Sequence, residues 1–336
     1  MPLHTTSFMT PTEIFTQFEQ LNILIIGDIM IDRYLTGRVE RISPEAPVPV
    51  VHLQAEDNRL GGAGNVALNI KAMGAQPYLF SVCGEDKNGQ LLQTLLPNAG
   101  IAADYILALP SRITTVKTRV IAQNQHLIRV DREDCSELSE KEADLLCSQI
   151  NQVLDTTNID LILFQDYNKG VLSEYLIQKI INEAIKRHIP TAVDPKDQHF
   201  WAYRGITFFK PNLREIQQQL EQEIKPIVDD LNRAAREIKN RLHNKHTMIT
   251  LSDKGLFIQN EKITQIIPTF ERTIADVCGA GDTVISIASL ALALGLSLKE
   301  IALLSNLAGG QVCEKVGVVP VNKTQLFDEY SNINLQ

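Results

Sequence analysis

From residue 139 onward, apolar runs of strand length alternate with stretches of helical period, and this alternation narrows the fold more than any other feature of the chain. Helices are expected over 139–154, 173–187, 212–222 and 228–243, and strands over 160–165, 190–194 and 206–210. Strand, helix and strand in succession imply parallel βαβ units whose sheet is covered by helices on both faces. Strand-like runs at 247–251, 255–259 and 262–267 and helices at 281–294 and 298–315 complete this half. The expected fold class is α/β, a three-layer αβα sandwich around a mostly parallel central sheet.

The first half departs from that rhythm. Thr10-Pro11-Thr12-Glu13 carries a helix-start signal, with Thr10 as cap, Pro11 in the first turn and Glu13 placed for a capping box, so residues 1–21 read as a short helical extension. Asn22 to Gly27 (NILIIG) is a compact apolar run ending in glycine, as a buried central strand requires. Asp28 and Asp32 fall just beyond its carboxyl end, where open parallel sheets bind ligands, and either could accept hydrogen bonds from a polyol. A solvated loop with two acids fits them equally. Residues 33–60 hold Pro44, Pro47 and Pro49 around a β-rich patch, Val48 to Leu53, where a crossover helix would otherwise stand. A second β-rich passage, Ile113 to Val130, mixes Thr115, Val116, Thr118 and Val120 with Lys117, Arg119 and Arg129. The two are expected to form a small β-sheet lid from segments near 33–60 and 110–132. Between them lie a helix opened by Gly61 and running to Met73, a strand Tyr78 to Val82, and a helix Gly89 to Leu96. One core is expected over 22–330, with 331–336 as a tail.

A 336-residue chain with 44% hydrophobic residues has ample material for a buried core. Its net charge of −8 argues against a general nucleic-acid binder, yet permits a local cationic pocket. Cys83, Cys135, Cys147, Cys278 and Cys313 are odd in number, scattered and without paired CxxC spacing, which suits a reducing cytoplasm better than a disulfide framework or a zinc site. The first twenty residues contain neither a long apolar core nor a basic leader, and no run reaches about 18 apolar residues, so neither secretion nor membrane insertion is expected.

Chemistry concentrates in Asp276-Val-Cys-Gly-Ala-Gly-Asp282, which feeds the apolar run Thr283 to Leu294. Gly279, Ala280 and Gly281 let the backbone approach a ligand, and successive N–H groups at a helix start attract an anion. Asp282 sits on the first turn, aimed at the same point. A carboxylate there repels a stored phosphate but suits removal of a proton from an attacking hydroxyl, so the pair suggests phosphoryl transfer to an alcohol. An ordinary Gly-rich turn capped by Asp is the alternative. Gly61, Gly62 and Gly64 can likewise bring backbone against a ligand, with Asn65 offering a donor and an acceptor; a sugar site and a tight turn with an Asn cap both fit. The segment lacks the Lys-Ser/Thr of a Walker A loop and does not follow the first strand as a Rossmann fingerprint would. In Lys210-Pro-Asn-Leu-Arg-Glu215 a strand yields to a helix, placing Asn212 and Glu215 on one face. They can form a capping box, hold hydrated magnesium beside nucleotide phosphates, or do both.

The order and separation of GGAGN (61–65), KPNLRE (210–215) and DVCGAGD (276–282) resemble the ribokinase (PfkB) family of carbohydrate kinases. GDIMIDRY (27–34), RISPEAPVPV (41–50), QDYNKG (165–170) and DPK (194–196) resemble its heptose-7-phosphate kinase branch, and the similarity runs from about 22 to 320. The resemblance implies a ribokinase-like fold and conversion of D-glycero-D-manno-heptose 7-phosphate to the 1,7-bisphosphate by ATP and Mg2+, on the way to ADP-heptose for lipopolysaccharide core. It implies that Asp282 deprotonates the anomeric hydroxyl while Gly279, Ala280 and Gly281 stabilise charge on the transferred group. ATP would lie around Asn212 and Glu215, which reach magnesium through water, with Thr250, Ser252 and Gly255 bordering the nucleotide and Asn306 near adenine. Asp28, Gly61, Gly62 and Asn65 would hold sugar hydroxyls, with Asp32 beside them. Arg119, Arg129 and Lys169 are the candidates for the substrate phosphate by their placement in lid and crevice, against a reading as solvated hairpin charge. Room is left for a monovalent cation, and a homodimer through the lid is expected. Cys278 stands where related motifs commonly carry Thr and is read as packing. Some related heptose kinases are fused to a nucleotidyltransferase, and too few residues follow 320 to build one, so the kinase step alone is expected. The alternatives are a family kinase for another sugar or sugar phosphate, and a noncatalytic sugar-phosphate-binding regulator, which Asp282 disfavours.

Overall fold

The computed structural model describes residues 9–123 and 125–334, and its first element is α1 (Pro11–Phe18). The Thr10 hydroxyl accepts from the Glu13 amide at 3.3 Å while the Glu13 carboxylate takes the Thr10 amide at 2.7 Å, closing the capping box. Two of the helix's otherwise orphaned donors are satisfied this way. Next come β1 (Asn22–Gly27), β2 (Ile29–Ile42), β3 (Pro49–Gly62), α2 (Ala63–Ala72), β4 (Gln76–Gly84), α3 (Lys87–Asn98) and β5 (Ile106–Leu109). After β6 (Val116–Ala122) and β7 (Gln125–Arg132) the alternation sets in: α4 (Glu140–Thr156), β8 (Leu161–Gln165), α5 (Glu174–Arg187), β9 (Thr191–Asp194), β10 (Phe208–Phe209), α6 (Leu213–Leu220) and α7 (Val228–Leu242). The chain finishes with β11 (His246–Thr250), β12 (Leu256–Gln259), β13 (Thr264–Ile267), α8 (Ala280–Ala293), α9 (Leu298–Cys313) and α10 (Lys323–Asn334).

Nine strands form the main sheet in the order β13-β12-β11-β10-β9-β8-β1-β4-β5, parallel throughout except where β12 meets β11 and β13. Alternation along β1 divides the interior. Ile23 and Ile25 enter one core with α1, α2, α3, α8, α9 and α10, while Leu24 and Ile26 enter the other with α4 to α7. Each fully buried aliphatic of this kind contributes about 1.5–3 kcal/mol. The helical layer changes face between β1 and β8, which puts a ligand crevice at their carboxyl ends. Helix α8 is buried on every side from Asp282 to Ala291 because it packs between α2 and α9, which explains its almost unbroken apolar sequence. Among the described residues, no helix is long and apolar enough to cross a membrane.

The second sheet has four strands in the order β3-β2-β6-β7. Its strands reach further than the sequence suggested: β2 starts one residue after β1, and β3 runs into α2 without a loop. Half of β3 is exposed, including an unbroken run from His52 to Asp57, so there was no apolar and polar alternation to mark its length. At the other terminus, α10 continues through positions 331–334, read above as tail. Its Tyr330 is buried and Phe327 packs 5.3 Å from Phe15, tying the two ends of the chain together.

Candidate active site

Asp282 occupies the first turn of α8, is 3% exposed, and faces the carboxyl end of β8. Its Oδ2 accepts from Asn65 Nδ2 at 2.8 Å, and its Oδ1 accepts from Gln165 Nε2 at 3.0 Å and from the Tyr167 hydroxyl at 2.6 Å. Three donors fix the carboxylate in one orientation. Burial pushes its carboxyl up to about 7, against the pull of the Asn65 and Tyr167 donors, with Asp194 and Asp32 adding to the rise. A base that titrates near neutrality can both hold and release a proton under ordinary conditions.

The turn leading into α8 is shaped by Asp276. One of its oxygens takes the Cys278 amide at 3.0 Å and the other the Gly317 amide at 2.9 Å. Burial opposes ionisation of Asp276, but these amides outweigh it and leave the carboxyl below its ordinary value. Gly279 caps the helix at φ 79°, and a Cβ there would stand 2.9 Å from Asn65 Nδ2, so glycine serves both the left-handed turn and the close approach. The amides of Gly279 and Gly281 find no acceptor among the described residues. Ala280 differs from expectation, because its amide already donates to Val277 O, at 3.3 Å. Burial raises the Cys278 thiol to about 11, with Asp276 adding to it, so the group is a protonated filler and not a nucleophile.

Several residues expected against the sugar are used differently. Asp28 accepts the amides of Tyr167 (2.8 Å), Lys169 (3.1 Å) and Val171 (3.1 Å), so it fixes the loop after β8 and offers little to a ligand. Burial raises its carboxyl, and those amides work against the rise. Asn65 turns its amide to Asp282 and is itself held by Asn69, which donates to the Asn65 carbonyl at 2.9 Å. Asp32 remains at the crevice, paired with Arg119 at the root of the lid, and a Cβ on Gly61 would collide with its Oδ2 at 2.2 Å. Gly62 is the residue before α2 and lies at the same root. Arg129 shares the Arg119 face by register, yet its side chain is 61% exposed and pairs with Asp131 at 3.0 Å, which places it as solvated hairpin charge. Lys169 pairs with Glu133 at 2.9 Å. Sequence reasoning missed Gln165 and Tyr167 as partners of Asp282; their signal was QDYNKG at the end of a buried strand.

The residues expected around a nucleotide do form one connected rim. Asn212 bridges to Thr250 at the end of β11, Ser252 and Gly255 make the following turn, Gly255 abuts Pro268, and Asn306 Nδ2 donates to Pro268 O at 2.6 Å. Asn212 and Glu215 close a capping box at 2.8 and 2.9 Å, and the Glu215 carboxylate also holds Lys196. Lys210 pairs with Asp194 at 2.9 Å beside the start of α8. No group of three or more His, Cys, Asp or Glu side chains among the described residues is arranged to hold a metal ion. Asn212 Oδ1 and both Glu215 oxygens are engaged by the capping box and by Lys196, which fits contact with a metal through water.

The profile described as "pfkB family carbohydrate kinase" matches residues 20–325. The chain belongs to the pfkB family of carbohydrate kinases. It is thus a phosphotransferase with an alcohol group as acceptor. Curated relatives include the bifunctional protein HldE of a Nitratiruptor species, 41% identical over 92% of this chain and 64% of the relative. HldE of Geotalea uraniireducens is 39% identical over 94% of this chain and, again, 64% of the relative. This kinase accordingly spans about 64% of the length of those relatives. Among solved structures, Escherichia coli phosphofructokinase-2 in complex with fructose-6-phosphate superposes with a TM-score of 0.76 at 20% identity, covering 94% of this chain and 99% of that one. Arabidopsis thaliana ribokinase complexed with ribose and ATP gives 0.70 at 16% identity, covering 91% and 98%. These two establish a ribokinase-like fold.

Proposed function

We propose that this kinase transfers the γ-phosphoryl group of ATP to the anomeric hydroxyl of D-glycero-D-manno-heptose 7-phosphate, giving the 1,7-bisphosphate used for ADP-heptose and lipopolysaccharide core in the cytoplasm. The observation that carries the reading is the buried Asp282 carboxylate beside the open amides of Gly279 and Gly281 at the start of α8. Asp282 accepts the hydroxyl proton as the oxygen attacks, and the amides stabilise charge on the group in transit. Asp32, Gly61 and Gly62 border the sugar; Thr250, Ser252, Gly255 and Asn306 border the nucleotide. Magnesium, when bound, neutralises nucleotide phosphates, and Asn212 and Glu215 meet it through water. Identity of about 40% with HldE proteins supports heptose chemistry in particular.

Release of ADP, measured with a panel of seven-carbon and six-carbon sugar phosphates, tests the reading. The highest kcat/KM is expected with heptose 7-phosphate; a clear preference for a six-carbon sugar phosphate would reassign the acceptor, and no sugar-dependent ADP at all would remove the kinase mechanism. Pairing of two lids into a homodimer belongs to the same proposal. Ile128 and Val130, alternate residues of β7, are 57% and 53% exposed, and Ile42, Val48 and Leu53 add to the lid's bare apolar surface.

A further inference from the structure

Charges on the lid and its neighbouring loop do not balance. Asp32 is taken by Arg119, Asp131 by Arg129, and Glu133 by Lys169. Lys117 shares strand register with Asp32 and Asp131, yet both acids are committed elsewhere, and among the described residues its ammonium forms no ion pair. Lys117 is half-buried, and its Nζ stands 5.4 Å from the ring centroid of Tyr167. An aromatic face attracts a cation but does not neutralise it. Burial first, and the neighbouring Lys169 second, hold the Lys117 ammonium below its usual range, so the two lysines feel one another. Asp131, Asp32 and Glu133 pull the other way, but each is already ion-paired, which leaves the Lys117 ammonium in surplus and favours a further anion of high charge density.

Resting on the heptose-phosphate reading above, we infer that Lys117 seats the phosphate already carried by the acceptor sugar, over the ring of the Tyr167 whose hydroxyl holds Asp282. The Tyr167 ring lies beneath Lys117, and its hydroxyl reaches Asp282 Oδ1 at 2.6 Å. Seat and base are therefore joined through one tyrosine side chain, the ammonium over its ring and the carboxylate at its hydroxyl. Arg119 and Arg129, each paired with an acid, are not part of the seat.

The test compares kcat/KM for heptose 7-phosphate with kcat/KM for the same heptose lacking its phosphate, in wild type, Lys117→Ala and Lys117→Arg. The ratio is expected to fall about ten- to a hundredfold in Lys117→Ala, the loss of one charge-assisted contact, and to recover largely in Lys117→Arg. An unchanged ratio in Lys117→Ala overturns the seat while leaving the heptose-phosphate reading in place. Wild type that turns over only sugars without phosphate overturns both. Should Lys117→Ala fail to fold, Lys117→Met keeps an unbranched apolar stem over Tyr167 and is held to the same ratio.

Discussion

Strands β8 and β9 of the main sheet are buried along their whole length, whereas every residue of β7 at the lid's edge is exposed. The base proposed for the chemistry stands on the first kind of support: Asp282 begins a helix buried on all sides and is held by Gln165 at the end of β8. The groups proposed for recognition stand on the lid, with Asp32 buried at its root on β2 and Lys117 half-buried on β6. Rigid packing suits a carboxylate that must keep its orientation, and a wet sheet suits residues that adapt to one substrate among many. Substitutions should divide accordingly, those at the sheet ends acting on kcat and those on the lid acting on the KM of the acceptor.

The largest effect is expected from Asp282→Asn, which keeps shape and removes the base: kcat falls about a thousandfold, measured by coupled ADP release, while ATP binding followed by calorimetry persists. Near-normal kcat would end the division at its chemical side. Arg119→Ala strips the partner from a nearly buried Asp32 and should raise the acceptor KM about tenfold with kcat little changed, so an equal fall in kcat would blur the two regions. Tyr167→Phe sharpens the comparison because Tyr167 sits on the loop between them. Wild-type kcat/KM should fall with decreasing pH through about 7 as Asp282 takes up its proton. The Tyr167 hydroxyl favours the ionised form, so its removal should move that acid limb to higher pH and lower kcat several-fold at neutrality, a shift that a purely structural role would not produce. Cys278→Thr should change kcat and KM by less than about twofold, since the thiol is protonated and has no part in the transfer.

What could be read from the sequence follows the same divide. DVCGAGD is contiguous, so its turn, its helix and the position of Asp282 follow from local rules alone. KPNLRE is equally local, and its capping box forms as the spacing requires. Partners of Asp282 come instead from α2, the end of β8 and the loop beyond it, positions one hundred to more than two hundred residues away, and only the folded sheet brings Asn65, Gln165 and Tyr167 to one carboxylate. Lys117 was visible as one charge among several on a β-rich passage. Its lack of a counter-ion depends on side-chain pairing across the lid, where Arg119 and Arg129 take the two acids that the register sets opposite it. Asp28 misled for a related reason: its place after β1 marks the crevice correctly, but the direction of its carboxylate is fixed by the backbone of a distant loop.

The joint between the two sheets has almost no slack. Only Asp28 separates β1 from β2, nothing separates β3 from α2, and the Ala63 amide donates to the Asp28 carbonyl at 3.0 Å, clasping the two crossings together. The lid is thus a cantilever clamped at its root, with Asp32 and Gly61 close to the clamp and the tip far out in water. A load applied to that tip bends the beam most at the wall, so whatever grips its far end exerts leverage on Asp32 and Gly61 without touching them.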